Sequence, residues 1–395
     1  MSLVFVFLFF AVLQQANAEE KAARVFKANI EAIQPEYGAT APLSIRFTLT
    51  NTSDKPMHVL TWHTPLEGFN GNIFRVTRDG VPVMYVGKVV KRGAPRPEDY
   101  RTVEPGKSIQ TEVDLSEAYA IYEPGDYSVE FVSGLYDFGE TKPQELARKT
   151  MFAPESISSN VVTFKLMGER KRPEAPVTEA AKPTAEGAAA KAPVFKNCSQ
   201  SQQNDLNSAL TEAKNISTGS YLCLKGLDVS KRPGSPRYKT WFGAYDAGRW
   251  STATNDFDKI YDVFANKTVT FNCGCNTSDY AYVYPNKPYE IYLCNAFWTA
   301  PLSGTDSKGG TLVHETSHFY AVASTSDYAY GQASCKNLAN NTPAKAIANA
   351  DSHEYFAENN PSQSCGTDHI GYSVAAIFSV IGVALVARRR GRGSL

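Results

Sequence analysis

The 395-residue sequence has no excess of charge of either sign and no Cys-x-x-Cys pair. Lysine and arginine together number 40, as do aspartate and glutamate, so the formal net charge is zero. Nucleic-acid-binding proteins usually present a basic surface, so this balance argues against a nucleic-acid partner. Because none of the seven cysteines has the spacing of a paired metal ligand, a metal ion bound by cysteines is not expected either.

The N-terminus lacks a basic residue ahead of its apolar run but otherwise has the layout of a secretion signal. The run from Leu3 to Leu13 is followed by Ala16-Asn17-Ala18, a small-residue cleavage pattern. We therefore expect residues 1–18 to be a signal peptide and the mature protein to be exported. In an exported chain the cysteines predict disulfides, with one of the seven left unpaired.

A second apolar segment lies near the C-terminus. Residues 370–387 contain no charge over 18 positions, and residues 388–395 carry four arginines. That length is just enough to span a bilayer, and arginines mark the cytoplasmic side. We expect 370–387 to be a transmembrane or sorting segment and 388–395 a basic cytoplasmic tail, which places the protein outside the cell or on its surface. Permanent anchoring and removal of the tail both stay open.

Residues 25–166, here named the β-region, alternate apolar and polar residues in short runs such as 43–49 and 127–132. Turn-forming residues separate the runs, and about seven such strands predict an all-β, immunoglobulin-like sandwich. The β-region contains no cysteine and no evident catalytic set. We interpret His58 and His63 as ordinary polar residues.

The composition changes after the β-region. Residues 167–193 are rich in Ala, Pro, Glu and Lys with few apolar anchors, which predicts a flexible linker. Residues 194–367, here named the α+β region, combine helical patterns near 201–217 and 306–321 with short strands near 268–273, 280–284 and 290–293. Helices gathered about a small sheet predict an α+β fold.

The strongest chemical signal in the α+β region is His314-Glu315-Thr316-Ser317-His318. On a helix, residues four apart lie on one face, so the two imidazoles can hold one metal ion. Zinc suits them, because it binds neutral histidine and keeps a position for a water molecule in catalytic sites. Glu315 can accept the proton of that water, which predicts hydrolytic chemistry with one zinc ion per chain.

A third ligand is predicted at Asp327. The common third ligands are missing, since no HxxGxxH extension follows and no glutamate stands on a helix about 20 residues further on. The Ser/Thr cluster at 324–326 favours a turn that brings Asp327 back to the metal. Residues 323–331, Ala-Ser-Thr-Ser-Asp-Tyr-Ala-Tyr-Gly, resemble the GTxxDxxYG motif of the aspzincins, the deuterolysin group of metallopeptidases, with the first Gly replaced.

Residues 238–243, 281–286 and 349–361 are similar to the peptidyl-Lys metalloendopeptidases of that group. The resemblance implies a zincin-like catalytic fold and Tyr330 as the donor to the oxygen that becomes negative in the transition state. It also implies that Asp351 and Glu354, on one face of a helix between Pro343 and Pro361, line the pocket for the substrate lysine. Burying an ammonium group requires such compensating charge.

We therefore expect a monomeric, secreted or surface-anchored zinc endopeptidase that cleaves proteins or peptides on the amino side of lysine. The alternatives are a broad-specificity deuterolysin-like endopeptidase and a surface-anchored binding protein with an inactive peptidase domain. The resemblance further implies the disulfides Cys198–Cys273 and Cys275–Cys294. We expect Cys223–Cys335 as the third bridge.

The combination of a lysine-bearing linker and a lysine-specific site predicts a zymogen with the β-region as its propeptide. Cleavage is expected at linker lysines, which are Lys171, Lys182 and Lys191. Within the β-region, residues 87–93 form a basic segment bounded by glycines, and either Lys88 or Lys91 can reach the predicted lysine pocket. A solvated loop is the alternative interpretation of this segment.

Overall fold

The computed structural model describes residues 22–148, 154–172 and 192–366. The predicted signal peptide, most of the linker, and the C-terminal apolar segment with its basic tail lie outside the described residues. Within the described ranges, no helix combines the length and apolar character needed to cross a bilayer.

Strands are the main regular structure of the β-region, as its alternating pattern predicted. The strands are β1 (Phe26–Ala32), β2 (Glu36–Tyr37), β3 (Ser44–Asn51), β4 (Met57–Leu60), β5 (Phe74–Arg78), β6 (Val81–Pro82), β7 (Val89–Lys91), β8 (Tyr100–Val103), β9 (Ser108–Asp114), β10 (Gly125–Leu135), β11 (Phe138–Gly139) and β12 (Glu155–Leu166). Short helices lie between them, namely α1 (Pro143–Leu146) and the 3-10 helices Pro65–Glu67, Pro97–Asp99 and Leu115–Glu117. All of these strands except β7 lie in three sheets, with strand orders β1-β3-β9, β2-β12-β10-β5-β6 and β11-β4-β8.

The alternation of residues sets the core of the β-region. In β3, buried positions alternate with half-exposed ones, and Ile45, Phe47 and Leu49 are fully buried. Aromatic residues from facing sheets meet there, as in the Phe47–Phe131 pair at 4.9 Å between ring centroids. The all-β architecture follows the prediction, but the third sheet goes beyond a two-sheet sandwich, so the immunoglobulin-like arrangement stays a prediction.

The α+β region supplies four strands and eight helices among the described residues. The strands are β13 (Val194–Lys196), β14 (Thr270–Asn272), β15 (Ala281–Val283) and β16 (Glu290–Leu293). The helices are α2 (Gln200–Gly226), α3 (Pro236–Phe242), α4 (Ala247–Asn266), α5 (Asn295–Thr299), α6 (Lys308–His318), α7 (Gln332–Asn341), α8 (Pro343–Ala346) and α9 (Ala350–Glu358). A 3-10 helix, Val229–Gly234, connects α2 to α3.

The sheet of the α+β region is completed by a strand from the β-region. Its order is β13-β14-β16-β15-β7, with β15 antiparallel to both of its neighbours. In the β15–β7 pair, Val89 faces Val283 and Lys91 faces Ala281. The two regions are thus joined by backbone pairing at the edge of one sheet.

The single helix expected between Pro343 and Pro361 is divided into α8 and α9. The backbone of Ser326 explains the division, because its N–H donates to Ala348 and its carbonyl accepts from Ala350. The Asn349 side chain accepts hydrogen bonds from two further backbone amides of the 326–331 turn. The backbone groups of Ala348 and Ala350 that would continue a helix are therefore hydrogen-bonded to this turn instead.

The disulfide pattern corrects one expectation. Cys198–Cys273 and Cys275–Cys294 are present, as the resemblance implied. The expected Cys223–Cys335 bridge is wrong, because Cys223 pairs with Cys365 and Cys335 is a buried free thiol. The side chain of Cys335 points from α7 into the core, whereas the end of α2 lies against the segment that follows α9. These long-range neighbours cannot be identified from cysteine spacing.

Candidate metal centre and substrate cleft

The helix α6 carries the two candidate histidine ligands and is buried along its whole length. Ser307 caps its N-terminus by accepting the Gly310 N–H at 2.9 Å. Gly309 and Gly310 permit close packing on both sides: a Cβ atom on Gly309 would lie 2.6 Å from Glu212 Cγ, and one on Gly310 would collide with Glu358. The two glycines therefore allow α6 to pack closely between α2 and α9.

Three side chains converge beside α6. His314 Nε2 lies 3.3 Å from Asp327 Oδ1, and His318 Nε2 lies 3.5 Å from the same oxygen. One ligand atom from each residue falls within 4.8 Å of the others, and all three side chains are buried. Neither Nε2 atom nor either Asp327 oxygen has a hydrogen-bond partner. Buried polar atoms left unpaired in this way are what a metal site requires, so these residues fit a zinc ion.

The protonation of His318 and of Asp327 also suits a metal. Burial lowers the pKa of His318 to about 4, which keeps its imidazole neutral. Its Nδ1 lies 2.9 Å from the Thr325 carbonyl, so Nδ1 carries the hydrogen and Nε2 is free to bind. Burial alone would raise the pKa of Asp327, but the two imidazoles outweigh burial and lower it, so the carboxylate is ionised.

Glu315 follows the first histidine on α6 and is fully buried. Neither of its carboxylate oxygens has a hydrogen-bond partner. Burial is the largest influence on this group and raises its pKa to about 8. An unpaired carboxylate with a raised pKa beside a metal centre has the character of a general base.

Two further buried carboxylates stand on α9 behind His314. Asp351 Oδ1 lies 2.8 Å from His314 Nδ1, and Glu354 Oε2 lies 3.2 Å from it, although the angles are too bent for well-formed hydrogen bonds. The second oxygen of Asp351 accepts the Gly331 N–H at 2.8 Å. Asp351 therefore connects the metal helix, the carboxylate pocket and the turn that carries Tyr330.

This pocket holds the side chain of Lys91 from the β-region. Its Nζ lies 2.6 Å from Glu354 Oε2, 3.5 Å from Asp351 Oδ1 and 3.8 Å from Asp306 Oδ1. Only 2% of the Lys91 side chain is exposed. Burial by itself would lower the pKa of Lys91, but the carboxylates outweigh burial and raise it well above its ordinary value. The ammonium group is therefore charged and paired within the pocket.

The Tyr330 hydroxyl completes the cleft, close to the same segment of the β-region. It donates to the Val90 carbonyl at 3.1 Å and lies 3.0 Å from His63 Nε2. Tyr136 of the β-region donates to the backbone carbonyl of Asp327 and stacks on His63 with 4.6 Å between ring centroids. The interpretation of His63 as an ordinary polar residue gave no hint of its contact with Tyr330, and Tyr136 was not singled out. Neither residue has a spacing relation to the metal motif.

Comparisons with known proteins agree with this geometry. The model of the family described as lysine-specific metallo-endopeptidase, an aspzincin family, matches residues 229–358. The chain is 41% identical over 332 residues to an extracellular protease of Aeromonas hydrophila, covering 83% of this chain and 91% of the relative. It is 35% identical over 338 residues to a peptidyl-Lys metalloendopeptidase of Grifola frondosa, covering 82% and 89% of the two chains.

A solved zinc peptidase from Grifola frondosa is 46% identical and is matched over its whole length, which corresponds to 42% of this chain, with a TM-score of 0.40. The two sequence relatives extend the similarity into the β-region, since each is matched over more than four-fifths of this chain. The sequence similarity to the two relatives and to the family model shows that the chain belongs to the aspzincin family and is a zinc metalloendopeptidase.

Proposed function

We propose that the enzyme hydrolyses peptide bonds on the amino side of lysine and is made as an exported zymogen whose β-region blocks the cleft. The observation that carries this proposal is the burial of the Lys91 ammonium between Glu354 and Asp351, directly behind His314. Relatives named peptidyl-Lys metalloendopeptidase support the specificity, and a relative named extracellular protease supports export.

The shape and charge of the pocket favour lysine over arginine. Lys91 reaches Glu354 at 2.6 Å with a compact ammonium group, and its Nζ also lies 5.1 Å from the centroid of the Tyr280 ring. The whole side chain is buried. A guanidinium is planar and wider, and it requires a broader fork of acceptors. An uncharged side chain would leave two buried carboxylates without a cation, which is unfavourable.

The chain's own groups are placed for peptide hydrolysis. A single zinc ion held by His314, His318 and Asp327 would polarise the scissile carbonyl and acidify a water molecule. Glu315 accepts the proton of that water and passes it to the amine that leaves. Tyr330 donates a hydrogen bond to the carbonyl oxygen as negative charge develops on it. The lysine pocket fixes the residue after that carbonyl.

The contacts of the β-region support a zymogen. Strand β7 occupies the edge of the sheet of the α+β region, and Lys91 fills the pocket. The Tyr330 hydroxyl contacts Val90 and His63. Each of these groups would otherwise be available to a substrate. Cleavage of the 167–193 linker would remove the covalent connection between the two regions, so that the β-region could be released. Anchoring through residues 370–387 stays a prediction.

The test compares variants of the activated enzyme on lysyl peptides. Glu354→Gln is expected to reduce kcat/KM at least tenfold, because removing one partner of a buried charge pair costs about 2–5 kcal/mol. Asp351→Asn, whose carboxylate lies further from the ammonium, is expected to reduce it less. Asp258→Asn on the exposed face of α4 is the control and should match the wild type.

The specificity is measured by mass spectrometry of a casein digest. New N-termini should be predominantly lysine, with arginine rare. Peptides without lysine enrichment at their N-termini would establish the broad-specificity alternative. An enzyme whose preference survives Glu354→Gln would show that the α9 carboxylates are not the lysine pocket.

A further inference from the structure

We propose that the Val90–Lys91 peptide bond of the β-region is bound as a substrate bond and is hydrolysed by the catalytic site, so that activation destroys the inhibitor. The inference rests on the proposed function, because it uses the lysine pocket and Tyr330 in the roles given above. It adds a specific bond, a direction of binding and a fate for the β-region.

The first observation is that two recognition contacts flank one peptide bond. The Lys91 side chain lies in the carboxylate pocket, 2.6 Å from Glu354. The carbonyl oxygen of the preceding residue, Val90, accepts the hydrogen bond of the Tyr330 hydroxyl at 3.1 Å. In cleavage before a lysine, the pocket residue and the polarised carbonyl stand on opposite sides of the scissile bond. A segment shifted by one residue would satisfy only one of the two contacts.

The second observation is that the backbone on both sides of this bond is held by the α+β region. Val89 and Val90 pair antiparallel with Val283 and Tyr282 of β15. Beyond the bond, the Lys91 carbonyl accepts the Tyr280 N–H at 3.0 Å. A peptide that adds a strand to a sheet edge, with alternate side chains in pockets, is a recurring mode of substrate recognition. Strand β7 also packs against α6, the helix that carries the metal ligands.

A third set of contacts explains how such a bond can persist in the intact protein. On the N-terminal side, the Tyr85 hydroxyl donates to the Lys88 carbonyl at 2.8 Å. On the C-terminal side, Arg92 lies 2.5 Å from Glu67 and stacks over Trp62 at 5.2 Å. All of these anchors belong to the β-region. After hydrolysis, both new ends would remain in the cleft, so resynthesis of the bond competes with release.

The step consumes one water molecule and needs no other reactant. The oxygen of the water forms a bond to the Val90 carbonyl carbon, and the bond from that carbon to the Lys91 nitrogen breaks. Glu315 takes a proton from the water and delivers it to the Lys91 nitrogen. The immediate products are a carboxylic acid at Val90 and an amine at Lys91. Transfer of the acid's proton to that amine gives a carboxylate and an ammonium group, so atoms and charge balance.

The experiment follows the termini of full-length protein during activation. Wild type, Glu315→Gln, Lys91→Gln and Lys88→Gln are incubated, denatured at intervals and analysed by mass spectrometry. Wild type is expected to give chains that end at Val90 and chains that begin at Lys91, at least tenfold above the Glu315→Gln level. Lys88→Gln should behave as wild type, whereas Lys91→Gln should lose this cleavage.

The other possible results separate failure of this inference from failure of the proposed function. If casein is cleaved before lysine but the Val90–Lys91 bond stays intact in all recovered β-region, this inference is overturned and the proposed function stands. If cleavage occurs before Lys88 instead, the inferred register is wrong. Failure to cleave casein before lysine would instead reject the proposed function. Should Lys91→Gln fail to fold, the wild-type and Glu315→Gln comparison still decides.

Discussion

The two regions differ in how they are held together. The α+β region has three disulfides, which close sequence separations of 75, 142 and 19 residues. The β-region has no cysteine and depends on its apolar and aromatic core. Disulfides stabilise a fold by about 2–4 kcal/mol each, mainly by restricting the unfolded chain. The α+β region is therefore reinforced by covalent links that the β-region lacks.

The regions are also complementary in charge at their contact. The α+β region supplies the buried carboxylates Asp351 and Glu354, and the β-region supplies the cation Lys91. Arg92 repeats the arrangement less strongly, with its Nη1 3.4 Å from Asp279. A buried cation without these carboxylates, or the carboxylates without a cation, would be costly. One region therefore supplies the buried carboxylates and the other supplies the cation that pairs with them.

The largest effect on activity is expected from changes at the metal centre, which lies entirely in the α+β region. Glu315→Gln in the α+β region is expected to keep zinc and to lower kcat by about 10²–10⁴-fold, because it removes the general base but no ligand. Asp327→Ala should lose zinc as well as activity. Turnover and bound zinc, measured by elemental analysis, check both. Glu117→Gln, an exposed change in the β-region, should alter neither. Full zinc and activity in Asp327→Ala would reject the ligand set.

The difference in disulfides can be tested by calorimetry in the Glu315→Gln background, which prevents self-digestion. Replacing both Cys198 and Cys273 by alanine is expected to lower the unfolding free energy of the α+β region by about 2–5 kcal/mol. The transition of the β-region, which has no disulfide, should keep its midpoint. Equal shifts of both transitions would show that the two regions unfold as one unit.

The smallest effect concerns the charge contact between the regions. Lys91→Met leaves two carboxylates without their cation and is expected to raise the initial rate of uncut protein on a lysyl peptide at least tenfold. Intact mass must be measured in parallel so that only uncut chains are counted. Lys107→Met, at an exposed turn of the β-region, is the matched control. An unchanged rate for Lys91→Met would remove Lys91 from the inhibitory contact.

Much of the site follows from local spacing in the sequence. His314 and His318 share a helix face because they are four residues apart, and Glu315 follows directly. Asp327 was placed by a turn signal together with a motif, and the structure puts it against both histidines. Asp351 and Glu354 face one pocket because α9 is helical across both. Short separations of this kind are what periodicity can interpret.

Contacts between distant segments could not be predicted in this way. The sequence did not distinguish Lys88 from Lys91 as the residue that enters the lysine pocket. The pairing of β7 with β15 directs Lys91 into the pocket, whereas Lys88 lies over the Tyr282 ring. On a strand, residues three apart point to opposite faces, so one register choice reverses the answer. His63 reaches Tyr330 across 267 positions, and no local pattern encodes that contact.

Cys335 has a consequence for the covalent durability of the enzyme. A protein with three disulfides and one remaining thiol is exposed to thiol–disulfide exchange, in which a thiolate attacks a bridge and scrambles the pairing. The thiol of Cys335 is fully buried, and burial raises its pKa well above the ordinary value, so little thiolate forms. Its sulfur accepts a hydrogen bond from Asn349 at 3.4 Å. The native packing thus keeps the Cys335 thiol from taking part in thiol–disulfide exchange. The three disulfides keep their pairing for as long as α7 stays packed against the core.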